Sequence, residues 1–151
     1  MASSSRCAPK KIKQGTVYEI AEAIDLAYVS NRDFRMMFLR ASRYDHQAAA
    51  LQIIKYLELK RLLFGQEKLT RNITLADLNE DDKDYLESGI AHISTKRDSS
   101  GRGILLIFPS LRKRDYEVEN VLRARYYVIM SMLEEHQMNG IVLIYFGALP
   151  S

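Results

Sequence analysis

Apolar residues recur at every third or fourth position over residues 16–29, which is the spacing of an amphipathic helix with one buried face. The pattern predicts a first helix from Thr16 to about Val29. Thr16 and Glu19 have the spacing of a capping box, in which the hydroxyl accepts from the N3 amide and the carboxylate accepts from the N-cap amide. The helix therefore has a defined start.

Two further helices are predicted by the same spacing. A short one follows an N-cap at Ser30 or Asn31, and a longer one over residues 46–63 follows an N-cap at Asp45. Short amphipathic helices bury little apolar surface by themselves. We therefore expect the three helices to form an N-terminal helical region, residues 16–65, that docks on other elements.

Residues 66–88 are polar and rich in turn-forming residues, and they predict a connector with short helices near residues 75–78 and 81–86. The acidic run Glu80-Asp81-Asp82 suits a first helical turn, where the helix dipole favours negative charge. It lacks the alternating ligand spacing of a calcium loop. We interpret it as a solvated helix start and not as a metal site.

The spacing of apolar positions changes after residue 89. Residues 90–95 and 104–108 predict two strands, joined by a polar, glycine-containing stretch that suits a β-hairpin. Residues 116–138 predict a long helix, and residues 141–146 predict a third strand. The apolar stripe expected to be buried on the long helix consists of Val118, Val121, Leu122, Ile129 and Leu133.

A strand, a long helix and a further strand form a βαβ crossover, which makes the second and third strands parallel with a right-handed connection. Both strands are unbroken apolar runs, which is typical of sheets covered on both faces. The sequence therefore predicts an α/β fold. An N-terminal helical lobe of three helices is followed by a partial αβα sandwich with a β-hairpin and a right-handed βαβ crossover.

The most apolar strand is also the last predicted element, although a sheet covered on both faces normally continues. The predicted helices suffice for one face of the sheet and part of the other. We expect residues 89–151 to be a partial domain, truncated after its third strand. That strand would then depend on a lipid, a protein partner or a second copy of the chain for cover.

Composition and charge narrow the function classes. The 151 residues fit one ordinary domain, and the single cysteine, Cys7, leaves no internal disulfide, as in cytoplasmic proteins. Four basic side chains and no acidic one fall in residues 1–18, which leaves 18 basic against 19 acidic residues in the rest. The positive charge therefore belongs to a disordered leader, residues 1–15, which would favour an anionic membrane surface or act as a targeting signal. No nucleic-acid partner is expected.

Residue types that support catalysis are not grouped in the sequence. It contains no glycine-rich phosphate loop and no nucleophile elbow. His46, His92 and His136 are too far apart for a local metal motif. We expect neither an enzyme nor a metal or cofactor site.

Three strings, in a fixed order, carry a resemblance to a known family. Residues 38–45, FLRASRYD, resemble the F-L-R-A-R-K-F-D signature in the N-terminal helical part of CRAL-TRIO lipid-transfer proteins. Residues 98–102, DSSGR, followed by an apolar strand, resemble the family's D-x-x-G-R-x-V hairpin. Residues 137–141, QMNGI, resemble its Q-x-N-G-I junction before a central strand. The likeness covers about residues 16–146, the N-terminal helical part and the first half of the lipid-binding domain.

The resemblance implies a cytoplasmic protein that binds a lipid or a small lipophilic molecule in a cavity floored by the sheet, and that transfers it through transient contact with membranes. By alignment it implies lipid contacts from both buried strands and from the long helix. Ordinary core packing is an equally weighted alternative for all of these residues. The implied lipid-binding residues are Leu105, Ile107, Arg123, Tyr127, Ile141, Leu143 and Tyr145.

The head-group position departs from the family pattern. In members that bind phosphatidylinositol, an arginine follows F-L-R-A and meets the phosphate, whereas Ser42 stands here. Arg43 is therefore the head-group candidate, and phosphoinositide is one open choice of lipid among others. Arg40, on a largely apolar helix, is expected to be structural and paired with an acid such as Glu58 or one of those in residues 81–84, because an unpaired buried charge is costly.

Two functions remain open. The first is lipid binding and transfer. The alternative is a protein-interaction module that covers its apolar sheet face with a partner, or by self-association, and transfers no lipid. A closed apolar slot favours lipid and a flat exposed patch favours a partner.

Overall fold

The computed structural model describes residues 15–134 and 140–147 of the chain. Helices and a three-stranded mixed sheet make it an α/β fold, as predicted. The chain divides into two compact units between Leu59 and Lys60. The predicted leader, apart from Gly15, lies outside the described residues, as does most of the QMNGI string.

The first unit is built from helices. The observed helices are α1 (Val17–Ile24), α2 (Leu26–Ser30), α3 (Arg32–Ala41) and α4 (His46–Phe64), the last of which continues past the division between the units. The prediction of three N-terminal helices is therefore wrong, because the first predicted helix is two. Asp25 has an extended backbone, with φ −154° and ψ 96°, and its Oδ1 accepts from the amide of Tyr28. It thereby ends α1 and caps α2.

The predicted helix starts are confirmed. Thr16 and Glu19 form the reciprocal capping box, with the carboxylate 2.8 Å from the Thr16 amide nitrogen. The side chain of Asn31 accepts from the Phe34 amide, and that of Asp45 accepts from the Ala48 amide. Each of these caps satisfies an amide that the helix itself leaves unbonded.

Four aromatic rings pack together in the first unit. Phe34 lies 5.1 Å from both Tyr28 and Phe38 between ring centroids, and Tyr56 of α4 lies 5.3 Å from Phe38. These tilted and edge-on contacts are the preferred geometry of aromatic pairs. They join α2, α3 and α4 within this unit.

The second unit contains the sheet. Short 3₁₀ turns at Gln66–Lys68 and Leu75–Asp77 precede α5 (Glu80–Glu87), and a third, Pro109–Leu111, follows the second strand. The other elements are β1 (Ala91–Arg97), β2 (Gly103–Ile107), α6 (Val118–Glu134) and β3 (Ile141–Tyr145).

The strands lie in the order β1-β2-β3. β1 and β2 are antiparallel, which confirms the hairpin, and β2 and β3 are parallel on either side of α6 in sequence, which confirms a βαβ crossover. In the parallel pair Leu105 is the partner of Leu143 and Ile107 that of Tyr145. Paired residues share a face of a sheet, so these four side chains belong to one face.

Asp98 organises the hairpin turn. Its Oδ1 accepts from the amides of Ser100 and Arg102, and its Oδ2 accepts from Nε of Arg102 at 2.6 Å. Gly101 has φ +77°, a conformation that glycine adopts without steric cost. The DSSGR string therefore has a local structural role in closing the turn.

The core of the second unit lies between one face of the sheet and helices α5 and α6. β2 alternates as predicted, with Leu105 and Ile107 fully buried against Ala124, Val128 and Met132 of α6. The stripe predicted for this helix is wrong at two positions, since Val118 is 71% exposed and Leu122 is also exposed. Positions four residues apart from Asn120 to Met132 form the buried face instead.

Candidate functional site

A cavity of ≈ 130 Å³ lies in the second unit, where α5, the segment before α6, α6 and the end of β3 meet. Three tyrosines line it: Tyr85 of α5, Tyr116 of the segment before α6, and Tyr145 of β3. Two arginines, Arg112 and Arg125, are also in its lining. The remaining lining side chains are apolar and are those of Ile90, Pro109 and Val121.

Two of the tyrosines are held by packing and hydrogen bonding. Tyr85 is buried on α5, and its ring meets that of Tyr116 edge-on, with centroids 5.3 Å apart. The Tyr116 hydroxyl donates to Oδ2 of Asp84 at 2.8 Å. This side of the cavity is therefore rigid, because each ring is fixed by a neighbour and by a polar contact.

Asp84 and Arg114 set the charge beside Tyr116. The hydrogen bond from Tyr116, and to a smaller extent that from Arg114, holds the pKa of Asp84 below its usual value. Burial is the main effect that raises the pKa of the Tyr116 hydroxyl, and the hydrogen bond to Asp84 adds to it. Arg114 forms ion pairs with both Asp81 and Asp84. The hydrogen bond to Asp81 contributes most to raising the pKa of Arg114. At neutral pH Tyr116 is thus a neutral donor to an ionised carboxylate.

The side chain of Asp82 links α5 to α6. Its side chain is fully buried, accepts from Nε of Arg123 at 2.9 Å and from Nδ2 of Asn120 at 2.9 Å, and caps α5 through the amide of Asn79. The interpretation of the acidic run as a solvated helix start is therefore wrong for Asp82. It holds for Glu80, whose side chain is 93% exposed.

The two arginines of the cavity have different partners. Arg112 pairs with Asp115 at 3.3 Å and donates from Nε to the Arg114 carbonyl. Arg125 is half-buried, donates from Nε to the Tyr85 hydroxyl at 3.0 Å, and has its guanidinium carbon 6.0 Å from the centre of that ring. The described residues give Arg112 an acidic partner and Arg125 a neutral one.

The seven residues implied by the resemblance occupy different environments. Leu105 and Ile107 are in the closed core, and Tyr127 and Ile141 pack against that core half-buried. Arg123 is bound to Asp82, and Leu143 is 60% exposed. Tyr145 lines the cavity and the other six are not in its lining. Their contact with a lipid stays a prediction.

The head-group candidate lies in the first unit, just after α3. Arg43 and Tyr44 both have positive φ, 53° and 63°, and both side chains are exposed. Ser42, the preceding residue, has a buried hydroxyl with no hydrogen-bond partner among the described residues. Arg40 is exposed and forms no ion pair in the described part of the chain, so the prediction that it is a paired structural residue is wrong.

Sequence reasoning missed Arg125, Tyr85 and Tyr116 as site residues. Tyr85 and Arg125 are forty positions apart, and no local spacing brings them together. One signal was present in α6. Arg125 is four residues after Val121, at the point where the predicted apolar stripe has a gap before Ile129, and a charged residue at a stripe position often needs a polar partner.

A cavity lined by aromatic rings, aliphatic side chains and guanidinium groups can bind a small apolar group together with an anion. Within residues 15–134 and 140–147, no three histidine, cysteine, aspartate or glutamate side chains are grouped as metal ligands. No helix in the described residues has the length and apolarity needed to cross a membrane. No protein-family model, curated protein or solved structure matches this chain.

Proposed function

We propose that this protein binds a lipid or a small lipophilic molecule and transfers it between membranes, without catalysing a reaction. The observation that carries the proposal is the cavity, whose lining is mainly aromatic and aliphatic and includes Tyr145 of an exposed apolar strand. Sites of this kind bind a ligand through apolar contact and orient it through a few polar groups.

The size of the cavity limits what it holds. Its ≈ 130 Å³ is close to the roughly 150 Å³ of an engineered apolar cavity that binds benzene. It therefore holds one end of a lipid, and the rest of the ligand lies on exposed β3 side chains such as Leu143. Covering this apolar surface contributes about 25 cal/mol per Å².

The resemblance to CRAL-TRIO proteins and the βαβ crossover support a lipid as the ligand. The same resemblance supports a cytoplasmic location with transient contact at a membrane surface. Arg43, exposed after α3, is proposed to contact an anionic head group at that surface.

Cavity filling tests the proposal. Val121→Phe places a ring in the cavity, whereas Leu122→Phe introduces the same ring at the next position, which is exposed and outside the lining. Uptake of a pyrene-labelled fatty acid and a pyrene-labelled phosphatidylcholine from vesicles is measured for the full chain and both variants. We expect uptake of at least one probe, loss of it in Val121→Phe, and retention in Leu122→Phe. No uptake by the unmodified chain contradicts the proposal.

A protein-interaction module is the second candidate, and the exposure of Leu143, Ile144, Tyr145 and Phe146 favours it. An apolar edge strand of this kind pairs readily with another chain. Light scattering of the lipid-free protein separates the two functions. A stable stoichiometric oligomer with no lipid uptake supports the interaction module, and a monomer that takes up lipid supports transfer.

A further inference from the structure

Arg125 differs from the other arginines around the cavity in having no acidic partner in the described part of the chain. Arg112 pairs with Asp115, Arg114 with Asp81 and Asp84, and Arg123 with Asp82. Among the described residues, no carboxylate lies within 4.0 Å of the Arg125 guanidinium. Its hydrogen bond goes to the neutral hydroxyl of Tyr85.

The position of Arg125 leaves its charge partly desolvated. The side chain is half-buried in the lining of the cavity, which also includes Tyr85 and, one turn away on α6, Val121. A partly desolvated charge needs a partner of opposite sign, and Nε alone is engaged by Tyr85. The two terminal nitrogens form the planar fork that binds carboxylate or phosphate oxygens in pairs.

The sheet provides apolar surface that continues from the cavity. Tyr145 lines the cavity, and Leu143 lies two residues earlier on the same face of β3. Residues two apart in a strand are separated by about 6.6 Å, and Leu143 is exposed. An acyl chain that leaves the cavity past Tyr145 therefore meets Leu143 next.

We propose that the ligand is an anionic amphiphile, with one carboxylate or phosphate group bound by Arg125 in the cavity and an acyl chain lying past Tyr145 on Leu143. This inference rests on the proposed lipid-binding function and names the chemical class of its ligand. Nearby Asp84 does not oppose the anion strongly, because its charge is already bound by Arg114 and Tyr116.

Two matched probes separate this inference from the function on which it rests. A pyrene-labelled fatty acid and the pyrene-labelled alcohol of the same chain length differ only in the head group. We expect the full chain to bind the acid about tenfold or more tightly than the alcohol, as a charged hydrogen bond requires. Equal binding of the two overturns the inference and leaves the lipid-binding function intact. If neither probe binds, both fail.

Three variants assign the head-group preference to Arg125. Arg125→Gln should remove the preference for the acid, and Arg125→Lys should keep part of it, because the charge remains without the planar fork. Arg61→Gln makes the same change of charge at an exposed position of α4 and should leave the preference unchanged. Circular dichroism shows whether each variant folds, and if Arg125→Gln does not fold, Arg125→Lys alone decides. An undiminished preference in a folded Arg125 variant contradicts the assignment.

Inorganic phosphate distinguishes an amphiphile from a free anion. Phosphate has the head-group chemistry and no chain, so it should displace the labelled acid only weakly. If phosphate alone binds as tightly as the acid, the acyl chain has no role and the site is an anion site, which overturns the inference.

Discussion

Asp82 of α5 and Arg123 of α6 are joined by a hydrogen bond of 2.9 Å between Oδ2 and Nε, and the carboxylate has no exposed surface. The two helices contribute Tyr85 and Arg125 to the cavity, so this ion pair helps to hold these two lining residues at hydrogen-bonding distance. The same carboxylate accepts a hydrogen bond from the Asn79 amide, so Asp82 also fixes the residue at which α5 begins.

Asp82→Ala should lower the free energy of unfolding by about 3–5 kcal/mol, because it leaves Arg123 without its partner in a buried site. Urea unfolding followed by circular dichroism measures the change. Glu80→Ala is the matched control in the same helical turn, and its exposed side chain predicts little effect. Similar losses for both variants would show that general helix-start electrostatics, and not the buried pair, stabilises α5.

Two leucines of the parallel strand pair should differ sharply when truncated. Leu105→Ala removes a fully buried side chain and should cost about 3 kcal/mol of stability. Leu143→Ala, at its partner position, removes an exposed side chain and should cost little stability while weakening lipid uptake. Equal stability losses in thermal and urea unfolding would show that Leu143 is covered in solution.

The stability of the second unit should decrease in acid, partly through Asp77. Two hydrogen bonds from Arg71, and to a smaller extent those from Thr74, hold the pKa of Asp77 far below its usual value of 3.8. The unfolded chain therefore binds the proton more readily than the folded chain, so the contribution of Asp77 is complete above about pH 4 and is lost as pH falls through the folded pKa.

Asp77→Asn should consequently be less stable than the unmodified chain at pH 7, and the difference should narrow as pH falls below about 4. Urea unfolding at a series of pH values measures it. Glu87→Gln, at an exposed position of α5, should follow the unmodified chain throughout. A difference that stays constant with pH would contradict the role given to the Asp77 carboxylate.

The positive φ of Arg43 predicts an inversion of the usual order of glycine and alanine. At φ 53° a Cβ atom is strained, so Arg43→Gly should be about 1 kcal/mol more stable than Arg43→Ala. At Arg40, inside α3, Arg40→Gly should be about 1 kcal/mol less stable than Arg40→Ala. Unfolding curves of the four variants test both signs, and the same sign at both positions would show that Arg43 relaxes to a negative φ.

The elements were predictable wherever a local contact fixes them. Thr16 with Glu19 and Asp45 with Ala48 are contacts over three residues, and their spacing in the sequence is sufficient to locate a helix start. The hairpin closed by Asp98 is equally local. The end of α1 at Asp25 was not predicted, because the apolar spacing continues from α1 into α2. The only local signal for the new helix is Asp25 itself, whose side chain caps α2.

The buried face of α6 and the cavity were less accessible to sequence reasoning. The core side of α6 includes Asn120 and Ala124, which carry little or no apolar signal, and Asn120 is buried because its amide reaches Asp82. The hydrogen bonds from Arg125 to Tyr85 and from Tyr116 to Asp84 join residues that are far apart in sequence. They form only when α5 packs against α6 and the segment before it. Such contacts depend on tertiary structure, which apolar periodicity does not encode.

The register of the parallel pair has a consequence for the order of folding. β1 and β2 meet across a short turn, so they can pair in microseconds once Asp98 closes the loop. Pairing of Gly103 with Ile141 requires closure of a loop that contains all of α6, and closing so long a loop costs entropy before any contact repays it. We therefore expect β3 to join the sheet last, and the proposed surface for an acyl chain to form only with it.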